Sequence, residues 1–167
     1  MTDRELEAVG GALAPLQPVE PGYRHVLRVR LLVAWLPLVI GAVVLDNAVL
    51  ADTPVYGLVS GGLVLVALAA VILAPDRIYR RLRYGLTERL LQVVRGWLFH
   101  TDTIVPFVRV QHLDVTRGPL DKMFGTATLV VHTAGTRNSI VTVPGLAPER
   151  AAEIRDIIRE HIRTDYA

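Results

Sequence analysis

The chain has 167 residues, a formal net charge of +2, a pI near 9.3 and no cysteine. Disulfides, thiolate metal sites and cysteine nucleophiles are therefore excluded, and so slight a basic excess offers no dense cationic face for nucleic acid. Hydrophobic residues make up 51% of the chain and mean hydropathy is +0.39, an excess concentrated in the first half that points to a membrane segment joined to one small domain.

Residues 1–22 hold three early acids (Asp3, Glu5, Glu7), then Gly10, Gly11, Pro15, Pro18 and Pro21. No apolar period persists there, which predicts a flexible tail. Residues 31–45 then pass without a charge, and the apolar run resumes after Asp46 and Asn47 to Ala51. A second run, Val55 to Ala74, is uncharged throughout. A helix needs about 20 residues to cross a hydrocarbon core of ~30 Å. Two spanning helices, about 31–51 and 55–74, are therefore expected within a hairpin over 23–75. Asp46 is placed near the far interface, within reach of headgroups or water, and Pro37 is expected to kink the first helix.

Arg24, Arg28 and Arg30 precede the first run, and Arg77, Arg80, Arg81 and Arg83 follow the second, whereas the loop holds only Asp46 and Asp52. The positive-inside rule thus predicts a two-pass protein of a bacterial cytoplasmic membrane with both termini cytoplasmic. Arginine-rich usage with Lys122 as the sole lysine suits a GC-rich bacterial genome. The "VLA" before Asp52 has the look of a signal cleavage site, but 30 preceding residues with four acids do not make a signal n-region.

After Pro75 the segments become short, rich in Val, Thr, Ile and Leu, and punctuated by Gly or Pro, as in a compact β domain over 76–167. In "ATLVVHT", Ala127, Leu129, Val131 and Thr133 fall on one strand face and Thr128, Val130 and His132 on the other. Gly96 and "AGTRN" (134–138) suit hairpin turns. "RGPLDKMFG" (117–125) invites comparison with a phosphate loop, but Lys122 precedes Gly125 and no Ser or Thr follows it. It is predicted instead to be a one-turn helical connector, opened by Pro119, closed by Gly125, with Leu120, Met123 and Phe124 turned inward. The last element, from Pro148, carries an apolar stripe of Ala151, Ile154, Ile158 and Ile162, widened by Ile157, and reads as an amphipathic helix.

The segments "RYGLTERLLQVVRGWLF", "IVPFVRVQHLDVTRGPLDKMFGTATLVVHTAG" and "VTVPGLAPERAAEIRDII" resemble those of bacterial pleckstrin-homology (PH) domain membrane proteins of the YdbS-like type. The likeness covers roughly residues 23–163 and rests on an ordered set that includes Pro106, Arg109, Gly118, Pro119 and Gly125. Val108 stands where the pattern often has a polar residue. The resemblance implies an α+β membrane protein: a transmembrane helical hairpin followed by a PH-like β domain, two twisted antiparallel sheets capped by a C-terminal helix.

No nucleotide-binding, zinc-protease or nucleophile-elbow motif occurs, and no metal or cofactor is expected. His25, His100, His112, His132 and His161 are scattered, and only His112 and Asp114 could share a strand face. Gly57 and Gly61 have the G-x-x-x-G spacing that lets helices pack closely, within the hairpin or against a neighbouring copy. Arg77, Arg80, Arg81 and Arg83 form the densest basic cluster, suited to anchoring and to non-specific attraction for anionic lipid. The expected function is a non-enzymatic, membrane-anchored interaction or assembly module, with lipids and a protein partner or second copy as ligands and no small-molecule substrate identified. An anionic-headgroup sensor is the alternative, and a membrane enzyme with unrecognised residues the third reading.

Overall fold

The computed structural model describes residues 15–96, 100–134 and 139–165; the tail expected before residue 15, and the turn expected at 134–138 from residue 135 on, lie outside the described residues. Helix α1 spans Gly22–Val49 and helix α2 spans Leu58–Arg81. At 1.5 Å per residue these are about 42 and 36 Å long, enough to cross a membrane. Their apolar residues face outward: Leu36 is 59% and Leu65 69% exposed. Such faces suit lipid rather than water.

Both helices outrun their apolar segments on the side of the β domain. α1 begins nine residues before Leu31, and α2 passes through Pro75 to Arg81, carrying three of the four clustered arginines on its last turns. The hairpin expected over 23–75 therefore reaches further, because the flanking polar residues find helical partners: Asp76 on α2 meets Arg28 at 3.4 Å and Arg24 at 3.7 Å.

Two antiparallel sheets follow. The first has the order β1 (Gln17–Pro18), β2 (Arg83–Leu86), β3 (Leu90–Gly96) and β4 (His100–Pro106). The second has the order β5 (Val110–Thr116), β6 (Ala127–Thr133) and β7 (Ile140–Leu146). A single turn of 3-10 helix, Phe107–Arg109, joins them. Helix α3 (Pro119–Met123) links β5 to β6, and helix α4 (Pro148–Asp165) closes the domain. β1 belongs to the segment expected as tail. It is two residues long and sits at a sheet edge, where Pro18 withholds no ladder hydrogen bond from a neighbour on both sides.

The core forms where the alternation of the strands meets the stripe of α4. Leu91, Val93 and Val105 from the first sheet and Leu129, Val131 and Val143 from the second are buried against Ala151, Ile154 and Ile158. Leu129, Val131, Ile154 and Ile158 are fully buried, while Thr128, Val130 and His132 on the opposite face of β6 are half-buried, as the period-2 pattern predicts.

The same core takes in the first turns of α1. Tyr23 and Val26 are 6% and 0% exposed within it. Gly145 on β7 makes this fit possible: its φ is +76°, and a Cβ there would come within 2.6 Å of Tyr23 Cγ. Only glycine tolerates both the left-handed backbone and the close ring. The backbone N–H of Glu20 donates to the Gly145 carbonyl at 2.7 Å, so the chain entering α1 is tied to the same point. Hairpin and β domain are one packed unit.

Candidate functional site

The seam between hairpin and domain gathers the polar residues of both. Arg24 lies over the Tyr79 ring, 4.8 Å from its centroid, and also faces Asp76. His25 stacks on Phe124 at 5.5 Å, and Arg30 reaches Asp121 of α3 at 3.9 Å. Arg77, Arg80, Arg81 and Arg83 stay exposed on the other flank, the first three on α2 and Arg83 opening β2. Near a helix C-terminus they also complement the helix dipole.

Asp121 organises the connector that resembles a phosphate loop. It is 4% exposed; its Oδ2 accepts the Gly118 N–H at 3.0 Å and its Oδ1 accepts the Thr126 hydroxyl at 2.9 Å. Pro119 opens the turn and Gly125 follows it at φ +65°, as the spacing predicts. Leu120 and Phe124 pack against the core, but Met123 is 73% exposed, contrary to the inward orientation expected. The five-residue helix has room for one inward pair, and the buried aspartate takes the remaining inward place. Charged residues are seldom buried, so apolar spacing favoured Met123 over Asp121.

A groove opens where the second sheet ends at the helix that closes the domain. Among the described residues β5 is an edge strand, paired to β6 alone. Beside it a cavity of about 220 Å³ is lined by Val110, Gln111, Leu113 and Ile162, with Arg159 and Arg163 from α4. Arg109 is exposed just before this strand, and its carbonyl accepts the Ala134 N–H at 2.8 Å. Pro106 precedes it at the end of β4. The segment thus presents an unpaired backbone edge, an apolar floor and two cations, which is what an extended peptide with acidic side chains requires.

The family model for the bacterial PH domain matches residues 29–162. The chain belongs to that family. It is 35% identical over 104 residues to UPF0699 transmembrane protein YdbS of Bacillus subtilis (strain 168), covering 62% of this chain and 64% of that relative's length. No solved structure matches it. The two sheets and closing helix are therefore those of a bacterial PH domain, borne by a membrane protein of the YdbS-like type.

The PH domain also brings together residues that spacing left apart. His112 and His132 lie opposite each other on β5 and β6, with ring centroids 5.9 Å apart. Both reach one carboxylate: His112 Nε2 is 2.9 Å from Asp114 Oδ1, and His132 Nε2 is 3.5 Å from Oδ2. The sharing of a face by His112 and Asp114 is as spacing allowed, but the histidines are less scattered than expected, since strand register brings His132 to the same carboxylate. No group of three or more such side chains among the described residues is arranged to hold a metal ion. His161 instead bonds the Ile157 carbonyl through Nδ1 at 3.1 Å and meets the Phe107 ring edge-on, and His100 opens β4 on the surface.

At the far end of the hairpin Asp46 is 1% exposed, turned inward rather than toward headgroups or water. Its Oδ2 accepts the backbone N–H of Ser60 at 2.9 Å, so a residue of α1 caps the start of α2. Tyr56 donates to Asn47 Oδ1 at 3.2 Å and closes the same turn. Gly57, at φ +78°, is the residue just before α2, and Gly61 lies exposed on it. A Cβ built on either meets nothing within 4 Å, so neither glycine serves the contact between α1 and α2.

Proposed function

We propose that this chain is a two-pass protein of the bacterial cytoplasmic membrane with both termini cytoplasmic. In this reading its PH domain is a non-enzymatic interaction and assembly module. Arginines flank the domain end of the hairpin, and only acids, Asp46 and Asp52, lie toward the far end, a bias that supports this orientation. The boundary expected at residue 75 then marks a change of apolar character inside one helix, and core packing continues across the boundary expected at residue 22, from Val19 to Tyr23.

The observation that carries the interaction reading is the free edge of β5 beside a groove with two arginines. An extended, acidic segment of a partner protein would add a strand there and place its side chains in the groove. A photo-crosslinking residue at the exposed Gln111, in the full chain in native membranes, tests it. A defined protein should be captured, a peptide of its acidic segment should compete, and Arg159→Glu with Arg163→Glu should abolish capture. Equal capture by the double variant would refute the groove as the docking site.

The clustered arginines favour a second reading, attraction of the module to anionic lipid, worth about 1 kcal/mol for each arginine near the surface. Raised salt should abolish that contribution, because it is screened within a Debye length. Gly61, exposed on α2, and Gly57, half-buried just before it, are proposed to face a neighbouring copy of the hairpin.

A further inference from the structure

A second cavity, open and about 750 Å³ in volume, lies between α1 and the outer face of the second sheet. Three arginines from three different elements line it: Arg30 on α1, Arg95 on β3 and Arg117 just after β5. Thr116, Thr128 and Thr142 line its sheet wall, the Thr116 hydroxyl donating to the Thr128 carbonyl at 3.4 Å. Strand register places Thr116 opposite Thr128, and Thr142 opposite Val130, on neighbouring strands.

The charge here is only partly compensated, one acid against three arginines. Asp121 is the one acid in the lining, and its two oxygens already accept from Gly118 and Thr126. Arg30 approaches it only at 3.9 Å. Among the described residues Arg95 and Arg117 form no salt bridge. Arg95 is half-buried and donates to the Thr142 hydroxyl at 2.9 Å. Burial lowers its pKa from the ordinary guanidinium value, and the nearby Tyr23 opposes that shift. A guanidinium stays charged under such conditions, so the protein holds a partly desolvated cation without an anion of its own.

Depth narrows the ligand. Arg30 directly precedes the apolar run, and Tyr23, also in the lining, lies seven residues earlier. At 1.5 Å per residue the cavity runs along roughly the last 10 Å of α1 before the hydrocarbon begins. With the hairpin spanning the membrane as proposed above, that is headgroup depth. A phosphate is the anion that a guanidinium fork and hydroxyl donors fit best.

We infer that this cavity binds the phosphate of an anionic phospholipid headgroup, with Arg30, Arg95 and Arg117 as charge partners and the Thr128 and Thr142 hydroxyls as further donors. It differs in kind from the cluster at Arg77, Arg80, Arg81 and Arg83, which is exposed and proposed above to attract anionic lipid without selectivity.

Native mass spectrometry of the full chain, released from micelles mixed with phosphatidylglycerol and phosphatidylcholine, tests the inference. Phosphatidylglycerol should be retained selectively at raised salt. Arg95→Gln and, separately, Arg117→Gln should each lower that retention about tenfold or more, the weight of one charge-assisted hydrogen bond. Arg117 is exposed and outside the core, so its variant keeps the fold even where Arg95→Gln disturbs it. The double variant Arg77→Gln, Arg80→Gln should retain the lipid. Undiminished retention in millimolar inorganic phosphate identifies the lipid as the source. Binding of inorganic phosphate with no selectivity for phosphatidylglycerol would overturn the headgroup assignment. Equal retention by the wild type and both single variants would overturn the site.

Discussion

The two ends of the helical hairpin are closed by opposite means. At the domain end, Tyr23 and Val26 are buried in the PH core, and the ion pairs of Arg24 and Arg28 with Asp76 stay about 40% exposed. At the far end no apolar core exists, and one buried carboxylate, Asp46, spans from α1 to the first turn of α2. The difference teaches what each environment rewards. Where water is present, burying apolar surface is the strong interaction and surface ion pairs count for little. Where water is scarce, an unmet backbone N–H is costly, so one directional bond becomes decisive.

This comparison can be broken at either end. Tyr23→Ala removes a core aromatic and should destabilise the domain by about 3–5 kcal/mol; thermal unfolding of the full chain in detergent reads it. Gly145→Ala strikes the same contact from the other side. It should cost about 2–3 kcal/mol through the strained backbone and the ring it meets. A loss under ~0.5 kcal/mol would mean that Tyr23 does not hold α1 to β7. At the far end, Asp46→Ala should cost about 1–2 kcal/mol, the weight of a helix cap, with no change in the domain's own unfolding. Hydrogen exchange at Ser60 should rise in that variant.

Asp76→Asn should cost less than ~1 kcal/mol, and the effect should shrink further with salt. A larger, salt-resistant loss would place the seam's strength in its charges rather than its core. Gly61→Leu should leave the fold unchanged to within ~0.5 kcal/mol, since Gly61 is exposed and a Cβ there meets nothing within 4 Å. Crosslinked dimers of the hairpin should decrease in that variant, and their persistence would rule out contact through this face.

Much of the fold was legible in the chain because local geometry imposes a period on burial. The α4 stripe of Ala151, Ile154 and Ile158 and the alternation of Ala127, Leu129 and Val131 follow from 3.6 and 2 residues per repeat. The two apolar runs were legible by length, and Pro119 and Gly125 by the backbone angles they favour or permit. Met123 misled because spacing alone cannot tell an inward methionine from an inward aspartate held by two hydrogen-bond donors, the Gly118 N–H and the Thr126 hydroxyl. The site was far less legible: Arg95 and Arg117 stood in no cluster, and the dense run at 77–83 drew the reading toward the other flank.

By itself the sequence determined which segments could cross a membrane, which faces of strands and helix seek a core, and where the chain must turn. These are properties of a few consecutive residues and their solvent. The tertiary structure decided the rest: that Tyr23 meets Gly145, that His112 shares a carboxylate with His132, that Asp46 caps α2, and that Arg30, Arg95 and Arg117 converge on one cavity. Each joins residues distant along the chain. Their meeting depends on strand register and on how α1 packs against β7, and no local periodicity encodes either.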